Sequence, residues 1–261
     1  MQTRGYRSIG GACCLTLSLF AAAFSAAKAD ELPGTELVSG PADWSGFYVG
    51  VQGGFAHGDT GWTFPVDSYF TLPTGRRSFD ADPSGGFLGG HITWNHQIGA
   101  IVVGAELAIN GGGIEDTQTG VFTPLFPGDG FVTSVTAFGT LTGRLGYAHD
   151  NFLLYGTGGL ARGHLDYHTV SAPPGGGVIG DVKLHQNGWT LGGGLEYMLF
   201  PNVVVGAEYD YLHFGDETTQ VATTGTPSND PFVLYTHDVG MHAVSLRLSV
   251  KLDTPPVTPA P

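Results

Sequence analysis

Apolar and polar positions alternate with a period of two through most of this 261-residue chain, starting clearly at Trp44-Ser-Gly-Phe-Tyr-Val-Gly-Val-Gln-Gly-Gly-Phe55. Phe47, Val49, Val51 and Phe55 fall on one face of an extended strand. Tyr48, Gly50, Gln52 and Gly54 fall on the other, because successive side chains point to opposite sides. A greasy face opposite a small, polar one suits a strand with lipid on one side and a crowded interior on the other. The same alternation marks eight segments, roughly 44–56, 85–96, 98–109, 132–148, 151–165, 186–198, 202–214 and 239–252. Most match the ~10 residues that a tilted transmembrane strand needs.

The connections alternate in length. Short ones fall near Gln97, at His149-Asp150-Asn151 and at Leu199-Phe200-Pro201-Asn202, whereas 57–84, 110–131, 166–185 and 215–238 are long. Short turns on one side and long loops on the other, with an even strand number, are the habit of bacterial outer-membrane barrels. The expected fold is all-β: an eight-stranded antiparallel up-and-down transmembrane β-barrel. Soluble barrels and sandwiches also alternate, but aromatics gather here at strand ends. Trp44, Trp94, Tyr147 and Tyr197 come at the short-turn rim and Trp189 and Tyr211 at the other, as two girdles.

Charges inside the segments share the polar face. Glu106, Arg144, Glu196, Glu208, Asp210 and Arg247 are expected to point inward as a lumen cluster, with Arg162 a further candidate. A lipid-facing Arg or Lys costs about 2–4 kcal/mol at mid-bilayer, which gives the segregation a cause. Eight strands enclose a space just wide enough for side chains, so oppositely charged groups that fill it are favoured over a wide diffusion pore.

Composition sharpens this. Residues 1–29 read as a secretory signal peptide: Arg4 and Arg7 precede an apolar stretch, and Ala27-Lys28-Ala29 fits a small-x-small cleavage pattern. Both cysteines, Cys13 and Cys14, lie within it, which leaves the remainder without disulfides or thiol chemistry. Seven Lys and Arg then stand against 23 acidic residues, a net charge of −16 that excludes nucleic acid as a partner. Residues 30–43 are expected as a periplasmic N-terminal segment, 44–252 as the barrel, and 253–261 as a proline-rich periplasmic tail without a second domain.

The chain resembles a known family at several places. Asp43-Trp44-Ser-Gly-Phe-Tyr-Val-Gly50, Phe152-Leu-Leu-Tyr-Gly-Thr-Gly-Gly-Leu-Ala161, Gly188-Trp-Thr-Leu-Gly-Gly-Gly-Leu-Glu-Tyr197 and Val205-Gly-Ala-Glu-Tyr-Asp-Tyr211 look like its first, fifth, sixth and seventh strands. The family is the small alphaproteobacterial outer-membrane β-barrel surface antigens (the "outer membrane porin family"), within the OmpA-like barrel group. The resemblance covers about residues 43–252. It implies an integral outer-membrane protein that contributes to envelope integrity, surrounded by outer-membrane lipids and lipopolysaccharide and inserted by the barrel-assembly machinery. Some relatives are reported as porins or haem binders. One departure concerns the last strand: the family usually ends in an aromatic, whereas here Leu252 is followed by prolines.

Candidate chemistry is sparse. Of ten histidines, His164, His168 and His185 form the best candidate metal cluster, against the plainer reading that rim imidazoles are simply solvated. His91, His242 and the inward acids supply residue types for a barrel enzyme, but no motif fixes their geometry. No catalytic residue and no cofactor is assigned. Acidic residues in the long connections are candidates for divalent cations bridging to lipopolysaccharide, and any host ligand of these loops is left open.

Overall fold

The computed structural model describes residues 41–63, 78–119, 130–170, 178–215, 217–221 and 232–252. The expected signal peptide, most of the N-terminal segment and the proline-rich tail lie outside them. Ten strands follow in chain order: β1 (Gly46–Thr63), β2 (Ser78–Ala81), β3 (Ser84–Ile98), β4 (Ile101–Thr119), β5 (Gly130–His149), β6 (Phe152–Val170), β7 (Val178–Phe200), β8 (Val203–Phe214), β9 (Glu217–Val221) and β10 (Phe232–Lys251).

All neighbours pair antiparallel, and β1 pairs with β10 from Tyr48↔Lys251 to Thr63↔Tyr235, which closes the sheet. Closure leaves none of the eight long strands with a free edge through the β1–β10 seam, the condition for a sheet to sit in hydrocarbon. Eight staves make the wall. The short β2 runs along the upper end of β1 in line with β3, and β9 runs along β10 in line with β8. Pro83 separates β2 from β3; it has no N–H to give, and its carbonyl instead accepts from Gly58 N at 2.8 Å. The barrel is therefore the expected eight-stranded meander.

Three short turns join the staves on one rim, at Gly99-Ala100, Asp150-Asn151 and Pro201-Asn202. Gly99 and Asp150 hold positive φ values of 63° and 50°, the conformation that tight hairpins require and that Gly and Asp tolerate. The first turn thus falls two residues beyond the expected Gln97. The opposite side departs further from expectation. β4 to β7 run 19, 20, 19 and 23 residues, about twice what the hydrocarbon needs. Much of the supposed loops 110–131 and 166–185 is strand. Along these extensions the outer face no longer meets lipid, so the outward apolar rhythm fades although the hydrogen-bond ladder continues.

The outward face is apolar through the spanning region: Phe55, Ile92, Leu107, Leu145, Leu154, Leu191 and Leu246 are all exposed. Such a continuous greasy belt is intelligible only against lipid. Leu246→Arg, on the lipid face, is expected to cost about 2–4 kcal/mol in equilibrium unfolding from lipid vesicles. An unchanged unfolding curve would contradict the assigned face.

Candidate functional site

The lumen is layered, which simple alternation does not reveal. On the long-strand side, Phe87, Ile114, Phe131, Phe138, Leu165, Leu212 and Phe214 pack as a buried apolar cluster, with Phe87 edge-on to Phe138 at 5.2 Å. At the short-turn rim, Trp44, Tyr48, Val102, Leu153, Tyr155, Met198 and Val204 form a second cluster. Between them lies a charged layer. The expectation of a polar inner face holds for the middle of the barrel only.

The charged layer is one connected network. Glu106 Oε2 accepts from Thr93 Oγ1 at 2.8 Å and meets Arg247 Nη2 at 2.6 Å and Arg144 Nη1 at 3.3 Å. Arg144 Nη2 reaches Glu196 Oε1 at 2.8 Å, and its guanidinium lies 3.9 Å over the Tyr155 ring. Tyr155 donates to Glu208 Oε2 at 2.6 Å, and Arg247 Nη1 pairs with the same carboxylate. The five charged side chains are 6 % exposed or less. Each arginine bridges two carboxylates from different strands, so β4, β5, β7, β8 and β10 are tied across the lumen. Asp210 also faces inward, where it hydrogen-bonds with Glu208 rather than pairing with an arginine. Glycine opposite these groups makes the space: a Cβ at Gly194 would collide with the Tyr155 hydroxyl. Above the network Gln52 donates to Asn110 at 2.7 Å, and His91 Nε2 lies 2.8 Å from Ser249 Oγ.

Trp44 corrects the girdle expectation. It is fully buried in the short-turn mouth of the lumen, not set against lipid. Gly46, with φ of 136°, lets the chain fold back over the mouth before β1 begins. Trp44 N donates to Gln97 Oε1 at 2.7 Å, Tyr48 Oη donates to Trp44 O at 3.0 Å, and Ala42 N donates to Asp150 O at 3.2 Å. Lys251 Nζ reaches Asp43 O at 2.6 Å and Asp43 Oδ2 at 3.7 Å. Partial burial works to raise the Asp43 pKa, but the Ser45 N–H and hydroxyl and the Lys251 ammonium outweigh it and hold the carboxyl below its usual range. The support Asp43 gives this plug is therefore present above the ordinary carboxylate range and fades as pH falls through its lowered pKa.

The remaining girdle residues stand on the outer wall. Trp94, Tyr147 and Tyr197 lie toward the short-turn rim, with Tyr197 4.8 Å from Phe152. Trp189 and Tyr211 meet edge-on at 5.6 Å toward the other rim, joined by His213 and His242. His242 also bonds to Tyr209 Oη at 2.7 Å. Arg162 is exposed on the outer wall two residues above Leu160, not in the lumen: β6 puts its odd-numbered residues inward. His91 is buried inside the wall and His242 exposed outside it, so the two cannot share a catalytic site. His164 and His185 face each other across β6 and β7, whereas His168 sits four residues further along.

Glu106→Ala leaves two buried guanidinium groups short of a partner. Breaking such a network typically costs about 3–5 kcal/mol, and urea unfolding of the refolded barrel in micelles is expected to show a loss of that size. A loss below about 1 kcal/mol would show that the network carries little of the fold.

A closed eight-stranded antiparallel barrel with an outward apolar belt invites comparison with known barrels. The profile of the family described as "Outer membrane protein beta-barrel domain" matches residues 14–243. The 31 kDa outer-membrane immunogenic protein of Brucella melitensis biotype 1 is 32 % identical over 177 residues, covering 66 % of this chain and 72 % of that one. The 22 kDa outer membrane protein of Rhizobium leguminosarum bv. viciae is 29 % identical, covering 66 % and 64 %. Among solved structures, the outer membrane protein OprG from Pseudomonas aeruginosa shares the fold at 14 % identity and a TM-score of 0.53, over 80 % of this chain and 97 % of that one. With its wall and belt accounted for by the same physics, the chain belongs to the outer-membrane protein β-barrel domain family and is an integral protein of the bacterial outer membrane.

Proposed function

We propose that this protein is a closed structural barrel that contributes to envelope integrity and presents its four long-strand hairpins at the cell surface, rather than a channel or an enzyme. The observation that carries this reading is the lumen: an apolar plug at each end brackets a charged layer whose arginines and carboxylates are paired across it. A hydrated solute would have to displace all three layers. Barrel enzymes need a base and an orienting acid on one accessible face. Here the histidines that could serve, His91 and His242, lie on opposite sides of the wall.

The outward aromatic and imidazole cluster of Trp189, Tyr209, Tyr211, His213 and His242 supports an interface with outer-membrane lipids and lipopolysaccharide headgroups. Exposed acidic residues on the strand extensions, such as Glu115 on β4, add candidates for cation bridges to lipopolysaccharide. The hairpin surfaces are the place for any host or surface ligand, and insertion would depend on the barrel-assembly machinery.

Purified barrel in a planar bilayer is expected to give no stable conductance step above noise. A reproducible open state would favour the porin-like alternative and overturn the closed-barrel reading. On intact cells, added protease is expected to cut within the four hairpins joining β1–β3, β4–β5, β6–β7 and β8–β10 and to spare Asp150-Asn151. Cleavage at that turn would invert the topology.

A further inference from the structure

We propose that His164 and His185 form a binding site for a borderline divalent transition-metal ion, with zinc as the reference ligand, on the outer wall of β6 and β7 above the lipid belt. The two residues are directly opposed in the β6–β7 register. His164 Nδ1 lies 2.9 Å from His185 Nε2, and the rings meet edge-on with centroids 4.4 Å apart. On the far side of the first ring, His164 Nε2 lies 3.5 Å from Asp166 Oδ1. Asp166 stands two residues along on the same outward face, with its side chain only 15 % exposed. The His164 backbone is itself pinned, since its carbonyl accepts from Thr136 Oγ1 at 3.4 Å next to the β5 bulge between Val135 and Ala137.

Asp166 Oδ1 is buried without a hydrogen-bond partner, and a small turn of its side chain toward His164 Nε2 would complete a carboxylate–histidine–metal relay. A second-shell carboxylate that takes one ring N–H leaves the other ring nitrogen as the lone-pair donor. With Asp166 taking that N–H, Nδ1 of His164, which already faces His185, is the lone-pair donor. In the metal-free state a single proton bridges the two rings, carried on His185 Nε2. A metal ion takes the place of that proton, and His185 shifts its hydrogen to Nδ1, so both nitrogens donate and neither ring changes charge. Two imidazoles on zinc at about 2.0–2.1 Å in tetrahedral geometry place their nitrogens about 3.3 Å apart. The rings need to part by only about 0.4 Å from the spacing that gives this donor pair.

Imidazole pairs suit zinc, copper and nickel better than calcium or magnesium, which prefer oxygen. Among the described residues no third His, Cys, Asp or Glu joins the two nitrogens, so water completes the coordination and the site stays open to an exogenous donor. His168 lies about 13 Å up the strand from His164, out of reach. Arg162 and Lys183 flank the pair two residues away on their own strands, and Asp166 offsets their charge locally. Bound metal would clip the β6 and β7 extensions together on their outer face, opposite the packing of Leu165 into the lumen core.

The test uses the refolded barrel of residues 30–261, which carries no thiol, in micelles, stripped with chelator and titrated with zinc chloride at neutral pH by calorimetry, with histidine ring NMR signals followed in parallel. One zinc per chain is expected, shifting the His164 and His185 signals and leaving those of His91 unmoved. H164A/H185A is expected to abolish that site, D166N to weaken it by at least about tenfold, and H168A to leave it unchanged. The altered side chains lie on the outer wall, and heat-modifiable migration on gels verifies that each variant folds. Unchanged binding in H164A/H185A, or the absence of a one-to-one site in the wild-type barrel, would overturn the proposal.

Discussion

A strand that crosses hydrocarbon has no water to satisfy its N–H and C=O groups, so each must find another strand. In this chain the pairing of β1 with β10 supplies the last of those partners. Everything else follows from closure. Eight staves fix a narrow lumen, and a narrow lumen must be filled by side chains from its own wall. A wall with lipid outside and packing inside then demands apolar residues on alternate positions, from Phe47 on β1 to Leu248 on β10.

How the lumen is filled decides what the barrel can do. Charges are costly away from water unless paired, and removing one partner is worse than never having had the pair. The network around Glu106, Arg144 and Arg247 meets this condition by giving each guanidinium two carboxylates from different staves. Apolar clusters bracket those contacts at either end. Closure, pairing and plugging therefore reinforce one another, and together they support the proposed closed barrel.

Much of this was legible in the sequence, because period-two alternation reports directly on a wall with two different faces. It placed Glu106, Arg144, Glu196, Glu208 and Arg247 on the inner face and Phe47, Val49 and Phe55 on the outer one. It failed where the outer face no longer meets lipid. Above the bilayer the strands continue through Thr119, Val170 and Val178 without a hydrophobic rhythm, and they read as loops. It also failed where one residue leaves the pattern: Trp44 looked like a girdle residue, yet Gly46 turns the chain so that the indole closes the mouth. Inward Phe87, Phe138 and Phe214 carried a signal that could have been used, since large apolar residues at polar-parity positions betray a plug. Arg162 was misplaced because strand parity, not charge, sets its side.

The central claim is that the charged layer is sealed from solvent in the intact membrane. The barrel carries no cysteine of its own, both thiols lying at Cys13 and Cys14, so single introduced thiols can report on access. Thr142 is buried in the lumen beside this layer, and Glu115 is exposed on the projecting part of β4. A membrane-impermeant, charged maleimide applied to cells should label E115C promptly and leave T142C unlabelled until the barrel is denatured. Labelling of T142C at the rate of E115C would mean that water and solutes reach the lumen, and would contradict the account.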